Sequence, residues 1–180
     1  MTSSLRWITG FLDSPSRAAE SFWQSVTGFG LSARRGPEGQ FATLTCAGAD
    51  AYLRVQVVDS PPWSHLDLHV GDVRAEARRV AGLGASVVSD EGSLVVLRSP
   101  VGLLFCLVPW EGEAVRPPVP AWGARVDQVC LNVPVAAFEA EASFWVGVTG
   151  WERRAEDSPE FESLVRGAGL PLRLSGSGFW

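Results

Sequence analysis

The segment FWQSVTGF at residues 22–29 returns as FWVGVTGW at residues 144–151, 122 positions later. Two shorter matches follow it in the same order: Phe41–Leu44 corresponds to Phe161–Leu164, and Leu53–Val55 corresponds to Leu172–Leu174. Similarity that extends over about fifty residues in the same order marks a duplicated supersecondary unit. The chain therefore contains at least two copies of one structural repeat.

A third repeat lies between these two copies. Counting back from the Phe-Trp pairs, Arg6 and Gln128 occupy the place that His65 holds, so we expect repeats to begin at these three residues. Each repeat starts with a short alternating stretch and continues into a helical pattern. The predicted strands are 7–12, 66–70 and 129–133, and the predicted helices are 17–26, 73–81 and 136–148.

Helix boundaries are indicated by residues that cap helices. Prolines at Ser14-Pro15 and Pro134, and an aspartate at Asp72, suit the first helical turn. Gly28, Gly82 or Gly84, and Gly150 suit the left-handed residue that closes a helix. The strands and turns that follow each helix complete three βαβββ repeats.

The domain organisation follows from the repeats. Residues 5–110 are predicted to form one domain from two repeats, 5–60 and 64–110, and the proline-rich segment 111–123 is predicted to be a linker. Residues 124–180 are predicted to form a third, incomplete repeat without a partner. We expect this repeat to pack on the first domain or to pair with its copy in a homodimer. The apolar surface for such a contact is predicted at Val129, Leu131, Val133, Leu172 and Leu174.

Composition excludes several classes of function. The net charge is −5 and the basic residues are dispersed, which argues against nucleic acid and anionic membranes as partners. All 15 basic residues are arginines, so a Schiff-base lysine and the lysine of a phosphate-binding P-loop are excluded. The sequence shows neither a secretory signal pattern nor an apolar run of membrane-spanning length. Cys46, Cys106 and Cys130 lie in apolar runs and are predicted to be buried, reduced thiols of a cytoplasmic protein.

Polar residues alternate along two predicted strands. His65, Asp67 and His69 alternate with apolar residues, which is the period of a strand, so the two imidazoles start about 13 Å apart and cannot share one ion. Tyr52, Arg54 and Gln56 share one face of the strand that ends the first repeat. Two interpretations stay open, a polar cavity lining and a solvent-facing side of a sheet. The Phe22-Trp23 and Phe144-Trp145 pairs are predicted to pack in the core.

Three stretches in the middle of the chain resemble one family. They are HLDLHV at residues 65–70, LGA at 83–85 and LRSPVGLLFC at 97–106. In this order they resemble glyoxalase-like domains of the vicinal oxygen chelate superfamily, which includes glyoxalase I, bleomycin-resistance proteins and extradiol dioxygenases. The resemblance implies an α+β fold in which two βαβββ repeats pair into an eight-stranded, cup-shaped sheet around a cavity, with the third repeat left unpaired.

The resemblance also implies a site. Metalloenzymes of the family take histidine, glutamine or glutamate ligands from the first and last strands of each repeat. The corresponding residues here are Arg6, Gln56, His65 and Cys106, of which His65 and Gln56 are candidate ligands. Arg6 repels a cation and Cys106 lies in an apolar run, so the ligand set for a divalent metal is incomplete. His65 is also the candidate catalytic residue, and the candidate substrate-binding residues are Tyr52, Arg54, Gln56, Asp67 and His69.

Three functions stay open at this point. The chain is a small-molecule enzyme, such as a lyase, isomerase or dioxygenase that uses His65 as ligand or base. Alternatively it is a non-catalytic protein that binds a drug or metabolite, as bleomycin-resistance proteins do. The third alternative is a truncated relative with little activity, because no fourth repeat follows the third.

Overall fold

The computed structural model describes residues 3–59, 64–119, 125–158, 160–165 and 172–177. Strands and helices alternate within these ranges in three successive groups. The elements are β1 (Leu5–Ser14), α1 (Ala18–Thr27), β2 (Gly30–Leu31), β3 (Phe41–Thr45), β4 (Leu53–Val57), β5 (Ser64–Val70), α2 (Val73–Ala81), β6 (Ser86–Asp90), β7 (Val95–Arg98), β8 (Leu104–Pro109), β9 (Val129–Pro134), a 3₁₀ turn (Val135–Ala137), α3 (Phe138–Thr149), β10 (Glu152–Ala155), β11 (Phe161–Val165) and β12 (Leu172–Ser177).

The strands form two sheets that repeat one topology. The eight-stranded sheet has the order β2-β3-β4-β1-β5-β8-β7-β6, and the four-stranded sheet has the order β10-β11-β12-β9. In each repeat the last strand lies between the first and the third, and the pairs β1–β4 and β9–β12 are parallel. These sheets confirm the predicted α+β fold of βαβββ repeats, two in one eight-stranded sheet and the third in a sheet of its own.

The strand registers confirm the duplication residue by residue. Arg54 of β4 pairs with Thr43, and Arg173 of β12 pairs with Ser163 in the same way. The first strands correct the sequence alignment, because Val129 pairs with Leu172 as Gly10 pairs with Leu53. Val129 therefore corresponds to Gly10 and not to Trp7. The 3₁₀ turn before α3 lengthens the third repeat by three residues. Counting back from the helices therefore aligned Gln128 with Arg6, which lies three positions before the residue that the register pairs with it.

The predicted helix boundaries hold within two residues. The carboxylate of Asp72 accepts a hydrogen bond from the N–H of Ala75, which caps the start of α2. Gly28 and Gly150 close α1 and α3 at φ angles of 70° and 68°, the left-handed region that glycine adopts without strain. No helix in the described part of the chain is long and apolar enough to cross a membrane.

The chain divides into two compact units. The larger unit comprises Met1–Ile8, Asp67–Glu111 and Gln128–Trp180, and the smaller unit comprises Thr9–Leu66 and Gly112–Asp127. The domain boundaries expected from the sequence stay a prediction.

In the larger unit, the third repeat packs on the second. The rings of Phe144 and Trp145 of α3 lie 6.1 and 5.2 Å from the ring of Phe105 in β8, and both are buried as predicted. Phe22, the counterpart of Phe144 in α1, is 58% exposed and contacts Trp23 instead, so the expected core packing is wrong there. A homodimer through the third repeat stays a prediction.

Burial in the third repeat differs from the expectation. Val133, Leu172 and Leu174 are fully buried and supply no exposed apolar surface, whereas Val129 and Leu131 are half-buried. Two of the three free cysteines also differ from prediction. Cys46 is half-buried because it follows the end of β3, and Cys130 is exposed on the edge strand β9, whereas Cys106 is buried.

A nearly buried arginine connects α2 to α3. Arg79 forms an ion pair with Glu76, and its guanidinium donates to the carbonyl oxygens of Gly147 and Val148 at 2.7 and 2.8 Å. These carbonyls lie in the last turn of α3, where helix carbonyls lack intrahelical donors and a positive charge is favourable. Arg79 therefore joins the second repeat to the third.

Replacement of this arginine tests the contact. Arg79→Leu removes both bonds to α3 and leaves the Glu76 carboxylate buried without its cation, so we expect the free energy of unfolding to fall by about 3–5 kcal/mol. Urea denaturation measures the change. The exposed neighbour Arg78 is the control, and Arg78→Leu should change stability by less than about 0.5 kcal/mol. Equal effects of the two substitutions would contradict the assigned role.

Candidate functional site

A carboxylate and an imidazole meet in the smaller unit. Asp13 lies near the end of β1 and His65 near the start of β5, and Oδ2 of Asp13 lies 3.1 Å from Nδ1 of His65. The Asp13 side chain is only 9% exposed and that of His65 is 19% exposed. An ionised carboxylate accepts and does not donate hydrogen bonds, so a hydrogen bond between these two atoms requires a proton on Nδ1.

Aromatic stacking holds the imidazole from one side. The His65 ring stacks on buried Phe11 with centroids 4.3 Å apart and planes inclined by 14°. The guanidinium carbon of Arg54 lies 5.6 Å from the same phenyl ring, and Phe41 meets it edge-on at 6.5 Å. Phe11 is thus the common support of this group, while His65, Arg54 and Phe41 are partly accessible.

The strand register explains why these residues share a face. β1 and β4 are parallel, Phe11 pairs with Arg54, and Asp13 pairs with Gln56. Paired residues in adjacent strands project to the same side, and residues two apart do so as well. The alternate residues Leu53 and Val55 are buried in the core on the other side. Gln56 therefore lies on the polar face beside Asp13.

One oxygen of the buried carboxylate has no partner. Among the described residues, Oδ1 of Asp13 is buried and receives no hydrogen bond. An unsatisfied buried acceptor costs about 1–3 kcal/mol, and such groups in native proteins often belong to binding or catalytic sites. This oxygen is suited to a donor on a ligand or to a cation.

The donors of this face fit a divalent cation in kind. His65 offers an imidazole nitrogen, Asp13 the orphaned Oδ1, and Gln56 an amide oxygen, and these are donor types that divalent ions take in proteins. In the larger unit, a carboxylate oxygen of Asp67 and the Sγ of Cys106 lie within 4.8 Å of one another.

The remaining residues predicted from the sequence lie elsewhere. Tyr52 precedes β4, is 2% exposed and packs edge-on against Phe29 at 6.1 Å. Asp67 and His69 are buried, so the solvent-facing interpretation is wrong for both. Arg6 is exposed and lies 5.9 Å from the ring of Trp110, in the larger unit. The binding and catalytic roles assigned from the sequence stay predictions.

Two small clefts open near polar side chains. One of about 270 Å³ adjoins Gln56 and is lined also by Arg17, Gln40 and Asp59. A second of about 210 Å³ in the larger unit lies between α2 and the strands β6 and β7. His65 lines neither of them. The expectation that His65, Arg54 and Gln56 line one principal cavity stays a prediction.

Asp13 and Phe11 were not predicted from the sequence. Both alternate along β1 in phase with Arg54 and Gln56 on β4, and the parallel register brings the two strands together. The signal that could have identified them is the βαβββ topology itself, in which the first and last strands of a repeat are neighbours. With Gly10 opposite Leu53, as in the observed register, Asp13 falls beside Gln56.

A double-mutant cycle tests the Asp13–His65 contact. His65→Ala leaves both oxygens of the buried Asp13 carboxylate without a partner, so we expect the free energy of unfolding to fall by about 1–3 kcal/mol. The double variant with Asp13→Ala should lose less than the sum of the single changes, with a coupling of about 1–3 kcal/mol in urea denaturation.

An exposed pair provides the matched control for this cycle. Arg74 and Asp90 are also 3.1 Å apart, but both side chains are exposed. Their coupling should be below about 1 kcal/mol because water screens exposed ion pairs. Coupling of equal size in the two cycles would show that burial does not strengthen the Asp13–His65 contact.

Comparisons with known proteins place the chain in a family. Residues 11–108, more than half of the 180-residue chain, match the glyoxalase-like domain family. No curated protein sequence matches the chain.

Several solved structures share the fold. A xylose isomerase-like TIM barrel/4-hydroxyphenylpyruvate dioxygenase fusion protein has a TM-score of 0.68 and 16% identity over 98% of this chain and 33% of its own. A mutant of 4-hydroxymandelate synthase from Streptomyces coelicolor has a TM-score of 0.64 and 17% identity over 97% of this chain and 62% of its own. The 2,3-dioxygenase LapB from Pseudomonas sp. KL28 has a TM-score of 0.67 and 12% identity over 99% of this chain and 73% of its own.

The chain thus spans a third of the fusion protein and less than two thirds of the synthase. At these identities the likeness establishes the fold alone. Taken with the domain match and the paired βαβββ repeats, it shows that this chain belongs to the glyoxalase-like domain family of the vicinal oxygen chelate superfamily.

Proposed function

We propose that this chain is a small-molecule enzyme of the lyase, isomerase or dioxygenase type whose reacting centre is the Asp13–His65 pair. The observation that carries the proposal is the buried Asp13 carboxylate, which contacts His65 through Oδ2 and has an orphaned Oδ1. A buried carboxylate with one unused oxygen beside a partly accessible imidazole destabilises the fold unless it serves a ligand.

The chain's own residues divide into supports and contacts. Phe11 and Asp13 are nearly buried and fix the plane and the tautomer of the imidazole. His65, Arg54 and Gln56 are half-buried and can reach a ligand on the open side of the sheet. Arg54 supplies positive charge for an anionic oxygen, and Phe41 supplies an apolar ring. A planar ligand with an apolar ring and a carboxylate matches this arrangement.

In the absence of an ion, His65 acts as a proton acceptor. With its Nδ1 proton donated to Asp13, Nε2 can take a proton from a ligand carbon beside a carbonyl, the first step that many isomerase and lyase reactions share. The imidazolium that results is stabilised by the adjacent carboxylate, as in the aspartate–histidine pairs of hydrolases. Arg54 then stabilises the negative charge that develops on the ligand oxygen.

A divalent ion would give the same site a second mode. His65, Asp13 and Gln56 would hold it, and a bound ion would supply a Lewis acid that polarises an oxygen of the ligand. In that mode His65 serves as a ligand and not as the base. The names of the fold relatives include dioxygenases, which supports an oxygen-dependent reaction as the chemistry of this mode.

The alternative function is non-catalytic binding of a drug or metabolite. The aromatic group formed by Phe11, Phe41 and the stacked His65 favours it, because a ligand ring can pack there without any reaction. We place either function in the cytoplasm, since Cys130 is an exposed free thiol and a reducing compartment preserves that state.

Proton exchange tests the proposed chemistry. 4-Hydroxyphenylpyruvate carries a ring, a carboxylate and a carbon-bound proton beside a carbonyl. In heavy water the wild-type chain should accelerate exchange of that proton, followed by NMR. His65→Ala and Asp13→Asn should slow the catalysed exchange by about 100-fold or more, because a general base contributes about 10²–10⁴-fold.

Two comparisons separate the outcomes. Arg78→Gln, on the exposed side of α2 in the larger unit, should leave the rate unchanged. Exchange that survives a chelator supports the base mode, and oxygen uptake that requires added Fe²⁺ or Mn²⁺ supports the ion mode. Binding of the probe without exchange or oxygen uptake favours the non-catalytic alternative, and absence of binding contradicts the assigned site for this ligand class.

A further inference from the structure

A buried tyrosine hydroxyl in the smaller unit lacks a partner. Tyr52 is the single tyrosine of the chain and its side chain is almost completely buried. Within the described residues its hydroxyl is buried and makes no hydrogen bond. Buried tyrosine hydroxyls usually find a partner, because the unmade bond costs about 1–3 kcal/mol. The orphaned hydroxyl therefore indicates a position where a ligand atom binds.

The segment that follows the second repeat is anchored beside this tyrosine. The carboxylate of Asp50 accepts hydrogen bonds from the N–H groups of Ala114 and Val115 at 2.8 and 2.7 Å. The N–H of Asp50 donates to the carbonyl of Val115 at 2.8 Å. Asp50 precedes Tyr52 by two residues and Val115 precedes Arg116 by one, so these three bonds hold the backbone next to Arg116 against the segment that leads to the tyrosine.

A second arginine is bound to the same segment. The guanidinium of Arg125 donates to the carbonyl oxygen of Pro117 at 3.3 Å, and the side chains of Arg116 and Arg125 are both half-buried. In the described part of the chain, neither guanidinium forms an ion pair with a carboxylate within 4.0 Å. The Arg125 guanidinium thus contacts the residue that follows Arg116, and neither half-buried charge has a direct counterion among the described residues.

Electrostatic effects place the three groups within one another's field. Burial lowers the pKa of Arg116, and repulsion from Arg125 lowers it further. Burial raises the pKa of Tyr52, and the positive charges of Arg116 and Arg125 oppose that rise. The negative charge of Asp127 raises the pKa of both Tyr52 and Arg116 and so opposes the effect of the neighbouring arginines. Asp127 is exposed, and solvent screening weakens this opposing effect.

We propose that Tyr52, Arg116 and Arg125 form a binding site for an oxyanion, the carboxylate or phosphate group of a small molecule. Guanidinium groups bind such oxygens through paired, charge-assisted hydrogen bonds, and the tyrosine hydroxyl adds a neutral donor. An anion between the two arginines also relieves their mutual repulsion. The proposal stands on its own residues and does not depend on chemistry at His65.

Titration of the lone tyrosine gives a direct readout. The phenolate absorbance of the folded chain reports the pKa of Tyr52 alone, and we expect it above the value of about 10 of a free tyrosine. Inorganic phosphate or acetate should raise it further in a saturable way, because a bound anion disfavours the phenolate. Sodium chloride at the same ionic strength should not.

Variants show whether the three residues act together. Arg116→Gln and Arg125→Gln should each weaken binding of the anion at least about tenfold, since each removes a charge-assisted contact. Tyr52→Phe keeps the packing on Phe29 and should also weaken it, measured through the anion-induced rise in melting temperature. Arg78→Gln, an exposed arginine of the larger unit, is the control and should leave the affinity unchanged.

The anions distinguish the source of the ligand group. Saturation by phosphate and not acetate assigns a phosphate group, and the reverse assigns a carboxylate. Absence of a saturable effect beyond that of chloride overturns the proposal, as does an equal loss in Arg78→Gln. The assigned geometry is overturned if the well-folded Tyr52→Phe and Arg116→Lys variants both bind the anion as tightly as the wild-type chain does.

Discussion

The parallel pairing of the first and last strands of a repeat determines which side chains meet. In the first repeat this pairing sets Phe11 beside Arg54 and Asp13 beside Gln56, although the paired residues are 43 positions apart in sequence. One face of the pair enters the core through Leu53 and Val55, which fixes the register, because a slip of one residue would expose both. Because the register is fixed by this burial, Arg54 and Gln56 must project from the opposite, polar face.

The third repeat retains the frame and lacks the chemistry. Register equivalence puts Cys130 at the position of Phe11, Asn132 at that of Asp13 and Ser175 at that of Gln56. The carboxylate and the aromatic support of an imidazole are therefore both missing from β9. Arg173, the counterpart of Arg54, forms an ion pair with Glu156 and lies 4.7 Å from the ring of Phe161. Duplication has thus preserved packing while the open faces have diverged.

The contrast between the two Phe-Trp copies shows how context decides burial. Phe144 and Trp145 pack on Phe105 of the second repeat, and Arg79 holds the end of their helix. The same motif in α1 leaves Phe22 largely exposed. Sequence identity between repeats therefore predicted secondary structure in both copies but tertiary contacts in only one.

The sequence predicted what depends on local pattern and missed what depends on register. The repeats, the caps at Asp72 and Gly150 and the α+β fold follow from periodicity and from residues that stabilise helix ends. Asp13 was missed because its partner His65 lies on another strand, and Gln128 was aligned with Arg6 because a 3₁₀ turn changes the spacing in the third repeat. Long-range register is the information that a single sequence carries least directly.

The tautomer of His65 tests the central claim most directly. The chain has two histidines, and nitrogen-15 NMR of wild type and His65→Ala assigns the signals of each ring. We predict that His65 in metal-free protein near neutral pH carries its proton on Nδ1 when neutral, and that Asp13→Asn abolishes this preference. A neutral His65 protonated on Nε2, or a tautomer unchanged in Asp13→Asn, would contradict the claim that the buried carboxylate orients this imidazole.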